Sequence, residues 1–323
     1  MSFHAKHPTW PPSRETLDML YTQSELSTHK IAKQFGVNAG TVRLRLKKLE
    51  IPLRERVSAY VKAVTKYQKR PFSGSKMEAA YMIGLRLSDF DARWAKRIGG
   101  VVVMRTRTTR WGMIQLAHKI FGQYGHVAVN PRRHNRGGHC WEVECYLDFS
   151  FDFLVPKPQG TPDTILCNSD AFLHHFAALV DGDGWVGIDN CWGVRATAKV
   201  GFCNTERRLV EDVVHGLSTL GHVVRPLVND VKGRVGSYGV LNNDALRVQL
   251  KCKQAVKLLN VLPLCHPEKV ARKTLALQLH GKPWEEAKPE WNKLLAAILS
   301  ERDNCVAAAK KTYLSRKCIT SSF

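Results

Sequence analysis

Apolar positions along the chain change period several times, and each change marks a different kind of element. In "ETLDMLYTQSELSTHKIAKQFGVNAGTVRLRLKKLEIPLR" (15–54) they fall at helical spacing in three groups: Leu17, Leu20 and Tyr21; Ile31, Ala32 and Phe35; Val42, Leu46 and Leu49. Ser27 or Thr28 can cap the second group, Gly36 breaks it, and Asn38 can cap the third. Three helices with one tight turn are therefore expected. Farther on, period two takes over. In "VRATAKVGF" (194–202), Arg195, Thr197 and Lys199 alternate with Val194, Ala196, Ala198 and Val200. In "VVVMRTRTTRW" (101–111), Arg105, Arg107 and Thr109 alternate with Met104, Thr106 and Thr108. In "LRVQLKCK" (246–253), Arg247, Gln249, Lys251 and Lys253 alternate with Leu246, Val248 and Leu250. These are strands with one apolar and one basic face. Basic amphipathic helix is expected again over "PEWNKLLAAILSERDNCVAAAKKTYLSRK" (289–317).

The same landmarks occur twice between residues 77 and 318. An apolar helix ends in an acid, Asp89 and then Asp183, 94 residues later. Strands follow, and then a helix leading into "GHV" at Gly125 and again at Gly221, 96 residues apart. A strand, short helix and proline close each copy, in "WEVECYLDFSFDFLVP" and "LRVQLKCKQAVKLLNVLP". Two nearly equal offsets at different features indicate an internal repeat. The expected organisation is a helical domain with a tail over 1–70, a linker over 71–76 where Pro71, Ser73, Gly74 and Ser75 cluster, a first repeat over 77–160, and a second repeat with C-terminal helices over 161–323.

Charge adds a partner class. Lys plus Arg number 49 against 28 Asp plus Glu, a formal net charge of +21 over 323 residues. An excess on this scale favours a polyanion. The nine cysteines form no C-x-x-C pair, which argues against a zinc ribbon or a disulfide framework. The N-terminus carries no apolar leader, and no apolar run approaches the roughly 18 residues of a membrane span. A protein that is not secreted is expected, cytoplasmic or nucleoid or organellar, without a membrane partner and monomeric with internal pseudosymmetry.

The two acid-ended helices carry the chemistry. Aligned by the 94-residue offset, Ala80, Gly84 and Ser88 form a stripe whose counterparts are His174, Ala178 and Gly182. Small residues at this spacing let two helix backbones approach closely. Such packing brings Asp89 and Asp183 together, where a divalent cation would relieve their repulsion, polarise a phosphate and activate a water.

"FAALVDGDG" (176–184) and "MIGLRLSDF" (82–90) resemble the LAGLIDADG motif of homing endonucleases. The resemblance covers about residues 77–318 and is to the single-chain, two-repeat members. It implies an α+β fold of two pseudo-symmetric αββαββα repeats, whose strands form a DNA-binding β-saddle. It implies metal ligation, by Mg²⁺ or another divalent metal such as Mn²⁺, through Asp89 and Asp183 and the carbonyls of Ser88 and Gly182. It also implies a lysine near the scissile phosphates, for which Lys269 in "LCHPEK" and Lys157 in "LVPKPQ" are the candidates. Three positions depart from the motif: Phe90 for the final glycine, Arg86 for an aliphatic residue, and Ala178 for a glycine.

The N-terminal helices resemble the helix-turn-helix DNA-binding family, which implies a recognition helix presenting Asn38, Thr41, Arg43, Arg45 and Lys47 or Lys48. On the strands, Arg105, Arg107, Arg195, Lys199, Arg247 and Lys251 are the expected DNA contacts, on faces carrying few acids. The expected activity is metal-dependent hydrolysis of double-stranded DNA at a specific site. The alternatives are a catalytically inactive DNA-binding regulator and an RNA maturase acting on intron RNA. "RRHNRGGHCW" (132–141) is read as a basic loop and not a nuclease motif. His174 and His175 are expected to pack or cap, and Asp181 to assist the helix end.

Overall fold

The computed structural model describes residues 9–24, 26–54, 67–95, 100–134, 137–236, 239–240 and 243–320. Most of the N-terminal tail, the basic stretch 55–66, Asn135 and Arg136 of the basic loop, and parts of the loop after residue 236 lie outside the described residues. The chain divides into two compact units, one of residues 1–68 with 96–100, the other of residues 69–95 with 101–323.

The smaller unit is helical. α1 (Arg14–Asp18) continues as a wider turn over Met19–Gln23 and is followed by α2 (Thr28–Phe35) and α3 (Ala39–Lys48). The Ser27 hydroxyl accepts from the Lys30 N–H, and Asn38 Oδ1 accepts from the Gly40 N–H at 2.8 Å, which answers the free amides that open each helix. Gly36 ends α2 at φ 66°, a left-handed conformation that glycine adopts without penalty. Leu17, Tyr21, Ile31, Ala32, Phe35, Val42, Leu46 and Ile51 form its core.

The larger unit holds two similar four-stranded antiparallel sheets flanked by helices. Before the first sheet comes the first motif helix, α4 (Lys76–Leu87), capped by Ser75. The chain is already seated ahead of it, because Phe72 packs on Tyr124, Phe151 and Phe153. Sheet one orders β1 (Asp91–Trp94), β2 (Val101–Thr108), β4 (His139–Asp148) and β3 (His126–Arg133), with α5 (Trp111–Phe121) between β2 and β3. A single 3₁₀ stretch, Phe149–Leu154, and α6 (Asp163–Leu166) lead to the second motif helix, α7 (Ser169–Gly182). Sheet two orders β5 (Gly184–Cys191), β6 (Arg195–Asn204), β10 (Ala245–Lys251) and β7 (Leu227–Asp230), with α8 (Arg207–Thr219) between β6 and β7. A two-residue pair, β8 (Val235–Gly236) with β9 (Gly239–Val240), decorates the insertion before β10.

The copies differ where the sequence led to equal expectations. "GHV" opens an eight-residue strand at His126, whereas residues 222–226 form no regular element and the second strand spans only Leu227–Asp230. The expected strand through Lys253 stops at Lys251. Cys252 opens α9 (Cys252–Val261), so Lys253 leaves the strand face.

Two further helices follow, α10 (Pro267–Leu279) and the 37-residue α11 (Trp284–Thr320), the latter a single helix across the C-terminal stretch. The connection between them covers the start of β6, which β10 leaves unpaired because it pairs with β6 only from Lys199 onward. The Ala196 N–H donates to Lys282 O at 3.0 Å and the Trp284 N–H to Val194 O at 2.9 Å. Ladder partners of this kind protect an exposed strand edge. The apolar faces of both sheets, with Met104, Val143, Cys145, Val200, Val248 and Leu250, join the motif helices in one core. Among the described residues no helix is long and apolar enough to cross a membrane.

Candidate functional site

The motif helices α4 and α7 pack along their small residues. A Cβ added at Gly84 would lie 2.5 Å from His175 O and 2.7 Å from Ala178 Cβ, so the backbones meet there with no room to spare. Ala178 is tolerated in place of the motif glycine because the residue facing it is Gly84. At the lower end a Cβ on Gly182 would lie 2.3 Å from Ser88 Oγ. At the upper end His175, and not its neighbour His174, faces Ala80. Its buried Nδ1–H donates to Ala80 O at 3.2 Å, while Nε2 accepts from the Thr161 hydroxyl at 3.2 Å. The other departures also have partners. Buried Arg86 donates from Nε to Leu154 O at 3.1 Å and from Nη1 to Phe90 O at 3.4 Å, and lies 3.5 Å from Asp91. Phe90 is buried against Phe121.

Contact between Ser88 and Gly182 sets Asp89 and Asp183 side by side. Both residues reach solvent, but protein atoms crowd their carboxyl groups from the core side. That crowding raises both pKa values. Asp183 is pushed up to about 7 by burial and then by the charge of Asp89. Asp89 is raised by burial, with Lys269 opposing. The Lys269 ammonium donates to Gly184 O, and its charge is felt by Asp89, Asp181 and Asp183. Burial pulls its own pKa down. Lys157 is exposed, and its charge also reaches Asp183. Asn204 Nδ2 donates to Asp183 Oδ2 at 3.3 Å. The two acids and the two lysines named from sequence thus share one neighbourhood.

Such a donor set suits a hard cation. Among the described residues no group of three or more His, Cys, Asp or Glu side chains is arranged to hold a metal ion. Mg²⁺ commonly makes do with one or two carboxylates, water and substrate phosphate. Two carboxylates with one pKa raised by the other's charge are a pair that such a cation would relieve.

Asp181 does more than finish a helix. It is buried, and its Oδ2 accepts from the Tyr81 hydroxyl at 2.6 Å and the Cys265 N–H at 2.7 Å. One carboxylate therefore ties α7 to α4 and to the segment that opens α10, four residues before Lys269. Nothing local in the sequence signals this. Its partners lie 100 and 84 residues away.

Strand registers put the named cations on common faces. Arg105 is opposite Asp91 and Glu144, and Arg107 opposite Glu142, on one side of sheet one. Lys199 is opposite Gly187 and Lys251, and Arg247 opposite Cys203, on one side of sheet two, where Arg195 is exposed. The expectation of few acids on these faces is corrected. Arg107 pairs with Glu142 at 3.1 Å, Arg132 with Glu142 at 2.7 Å, and Arg105 with Asp91 at 3.6 Å. Lys199 and Lys251 both pair with Asp189, the latter at 2.7 Å. Period-two reading identified the cations, but the acids lay on strands whose partners it did not supply.

On α3 of the helical unit, Thr41, Arg43, Lys47 and Lys48 are exposed, as is Asn38 at the cap. Arg45 is instead half-buried on the flank, because it lies one turn, three residues, after buried Val42. Leu44, 70% exposed, occupies the middle of the outer face and was not among the expected residues.

No family model matches the chain, and no curated protein matches it by sequence. Similar solved structures include the homing endonuclease I-WcaI bound to its DNA recognition sequence, at 14% identity over 70% of this chain and 96% of that one, TM-score 0.45. Mesophilic variants of the homing endonuclease I-DmoI are similar at 13% identity over 58% of this chain and 95% of theirs, TM-score 0.39. The I-LtrWI LAGLIDADG homing endonuclease bound to target DNA is similar at 10% identity over 71% and 97%, TM-score 0.37. Likeness at this level decides nothing about what the chain does.

Proposed function

We propose that the protein is a divalent-metal-dependent endonuclease that binds an extended double-stranded DNA site and hydrolyses a phosphodiester bond in each strand. One observation carries the reading: Asp89 and Asp183 meet at the end of two tightly packed motif helices, with Lys269 beside both. The motif resemblance of residues 82–90 and 176–184 adds to it, and so does the basic balance of the chain.

In this reading Asp89 and Asp183, with the carbonyls of Ser88 and Gly182, hold Mg²⁺ or a related cation. Such a cation polarises a phosphate and lowers the pKa of a bound water. The chain's own residues do the rest. Lys269 is held at the acid pair by Gly184 O and offers an ammonium to a non-bridging or departing oxygen. Lys157 offers a second charge from the exposed side. Asn204 holds one oxygen of Asp183 and so fixes the orientation of that carboxylate. Arg107, Arg195, Lys199, Arg247 and Lys251 supply contacts to the duplex from the two sheets, and Arg43 and Arg45 from α3.

The test is incubation of the full chain with a randomised duplex library, with Mg²⁺ and with EDTA, followed by sequencing of cut ends. Double-strand breaks at a defined sequence, present only with the metal, are expected. Sequence-specific binding without breaks would favour the regulator alternative. Selective binding of structured intron RNA over duplex DNA would favour the maturase.

A further inference from the structure

Glu142 is buried on β4 with its side chain 3% exposed, yet it sits on the polar face of sheet one. Three arginines from two other strands converge on it. Arg107, from β2, donates to Oε1 through Nε at 3.2 Å and Nη2 at 3.1 Å. Arg132, from β3, donates through Nε to Oε2 at 2.7 Å. Arg105 lies 4.0 Å from Oε1 through Nη1, while its Nη2 lies 3.6 Å from Asp91.

The edges in use differ. Arg107 turns its Nε/Nη2 side to Glu142, and Arg132 its Nε side, which leaves the outer Nη1/Nη2 edge of each without a partner among the described residues. Both side chains are about half exposed, 51% and 56%. Arg105 has a terminal nitrogen toward each of two acids and is 30% exposed. The face as a whole is nearly balanced in charge, since Arg93 also pairs with Glu144 at 3.3 Å. A neutralised face is poorly suited to gripping phosphates by counterion release. A guanidinium fixed by its side edge, with its end edge outward, is suited to bidentate recognition of the O6 and N7 of guanine in a major groove.

We infer that Glu142 is a positioning residue that sets Arg107 and Arg132 as guanine readers, and that Arg105 is a clamp holding the cluster and not a reader. The inference rests on the duplex-DNA reading proposed above and names its sequence determinants on sheet one.

The test uses the full chain, its Glu142→Gln variant and its Arg107→Lys variant. Each is measured by binding selection on a randomised duplex and by salt titration on a non-specific duplex. In Glu142→Gln the released arginines turn to phosphates. Preference for guanine at two positions should fall by about five- to 150-fold, the range for losing a bidentate base contact. Non-specific binding should tighten, and the slope of log K against log salt should steepen by about 0.9 for each new phosphate contact. Arg107→Lys keeps the charge and loses the fork, so preference should fall at one position with the slope unchanged. This second variant decides the matter if Glu142→Gln does not fold, which loss of cooperative unfolding would reveal. Wild-type preferences in a folded Glu142→Gln, or in Arg107→Lys, would overturn the inference. A wild-type chain with no duplex preference at all would instead overturn the reading on which it rests.

Discussion

Two residues at α7, His175 within the helix and Asp183 at its C-cap, give the fold opposite responses to pH. His175 is fully buried, and burial lowers its pKa from 6.5 to about 4. The unfolded chain takes up a proton that the folded chain refuses. The stability this histidine contributes is therefore complete above pH 6.5 and is lost as pH falls toward 4. Asp183 is raised from 3.8 to about 7, so the folded chain keeps a proton that the unfolded chain has released. Stability from this group is greatest at low pH and declines as pH rises through that window. The Asp183→Asn variant removes that decline. In EDTA at pH 8 its unfolding free energy from urea titration should exceed that of wild type by on the order of 1 kcal/mol, once solvent screening of an exposed pair is allowed for. Near pH 4 the difference should vanish. Equal stability at pH 8 would mean that neither burial nor the charge of Asp89 disfavours the Asp183 carboxylate as the structure implies.

At the scale of elements, the two glycines of the motif-helix interface differ in what they protect. Gly84 faces backbone at mid-helix, whereas Gly182 faces the side chain that precedes Asp89. Gly84→Ala should force α4 and α7 apart and cost about 1–3 kcal/mol of stability, the usual range for overpacking. Gly182→Ala should shift the spacing of the acids and reduce cleavage much more than it reduces stability. Comparing unfolding midpoints with cleavage rates checks both, and full cleavage by Gly182→Ala would show that acid spacing is loose. These elements were readable in advance because their signals are local. Ser27, Gly36 and Asn38 announce the helical unit, and small residues every fourth position announce the interface. The rest depended on contacts distant in sequence. Asp181 looked like a helix-end residue until Tyr81 and Cys265 supplied its partners. Glu142 lay in a strand whose neighbours period-two alternation cannot name. Leu44 stands among cations at the centre of the outer face of α3, because helical phase, not residue type, decides which side chain lies there.

For the whole molecule, the two units have separate cores, that of the helical unit around Leu17, Ile31 and Leu46. Removing residues 1–68 should therefore leave the larger unit folded, with cooperative unfolding intact. If α3 contacts the same duplex, the truncated chain should bind more weakly and protect a shorter footprint, with the cut position unchanged. An unchanged footprint would place the helical unit's partner elsewhere. The central claim, that Asp89 and Asp183 together perform metal-dependent strand cleavage, is tested most directly by separating chemistry from binding. Wild type, Asp89→Asn and Asp183→Asn would each be assayed with Mg²⁺ for breaks in a duplex selected by wild type, and for affinity to that duplex in Ca²⁺. The account predicts that each variant loses double-strand cleavage and keeps affinity close to wild type, because each loses a metal-binding carboxylate and no phosphate contact. Wild-type cleavage by either variant would contradict it.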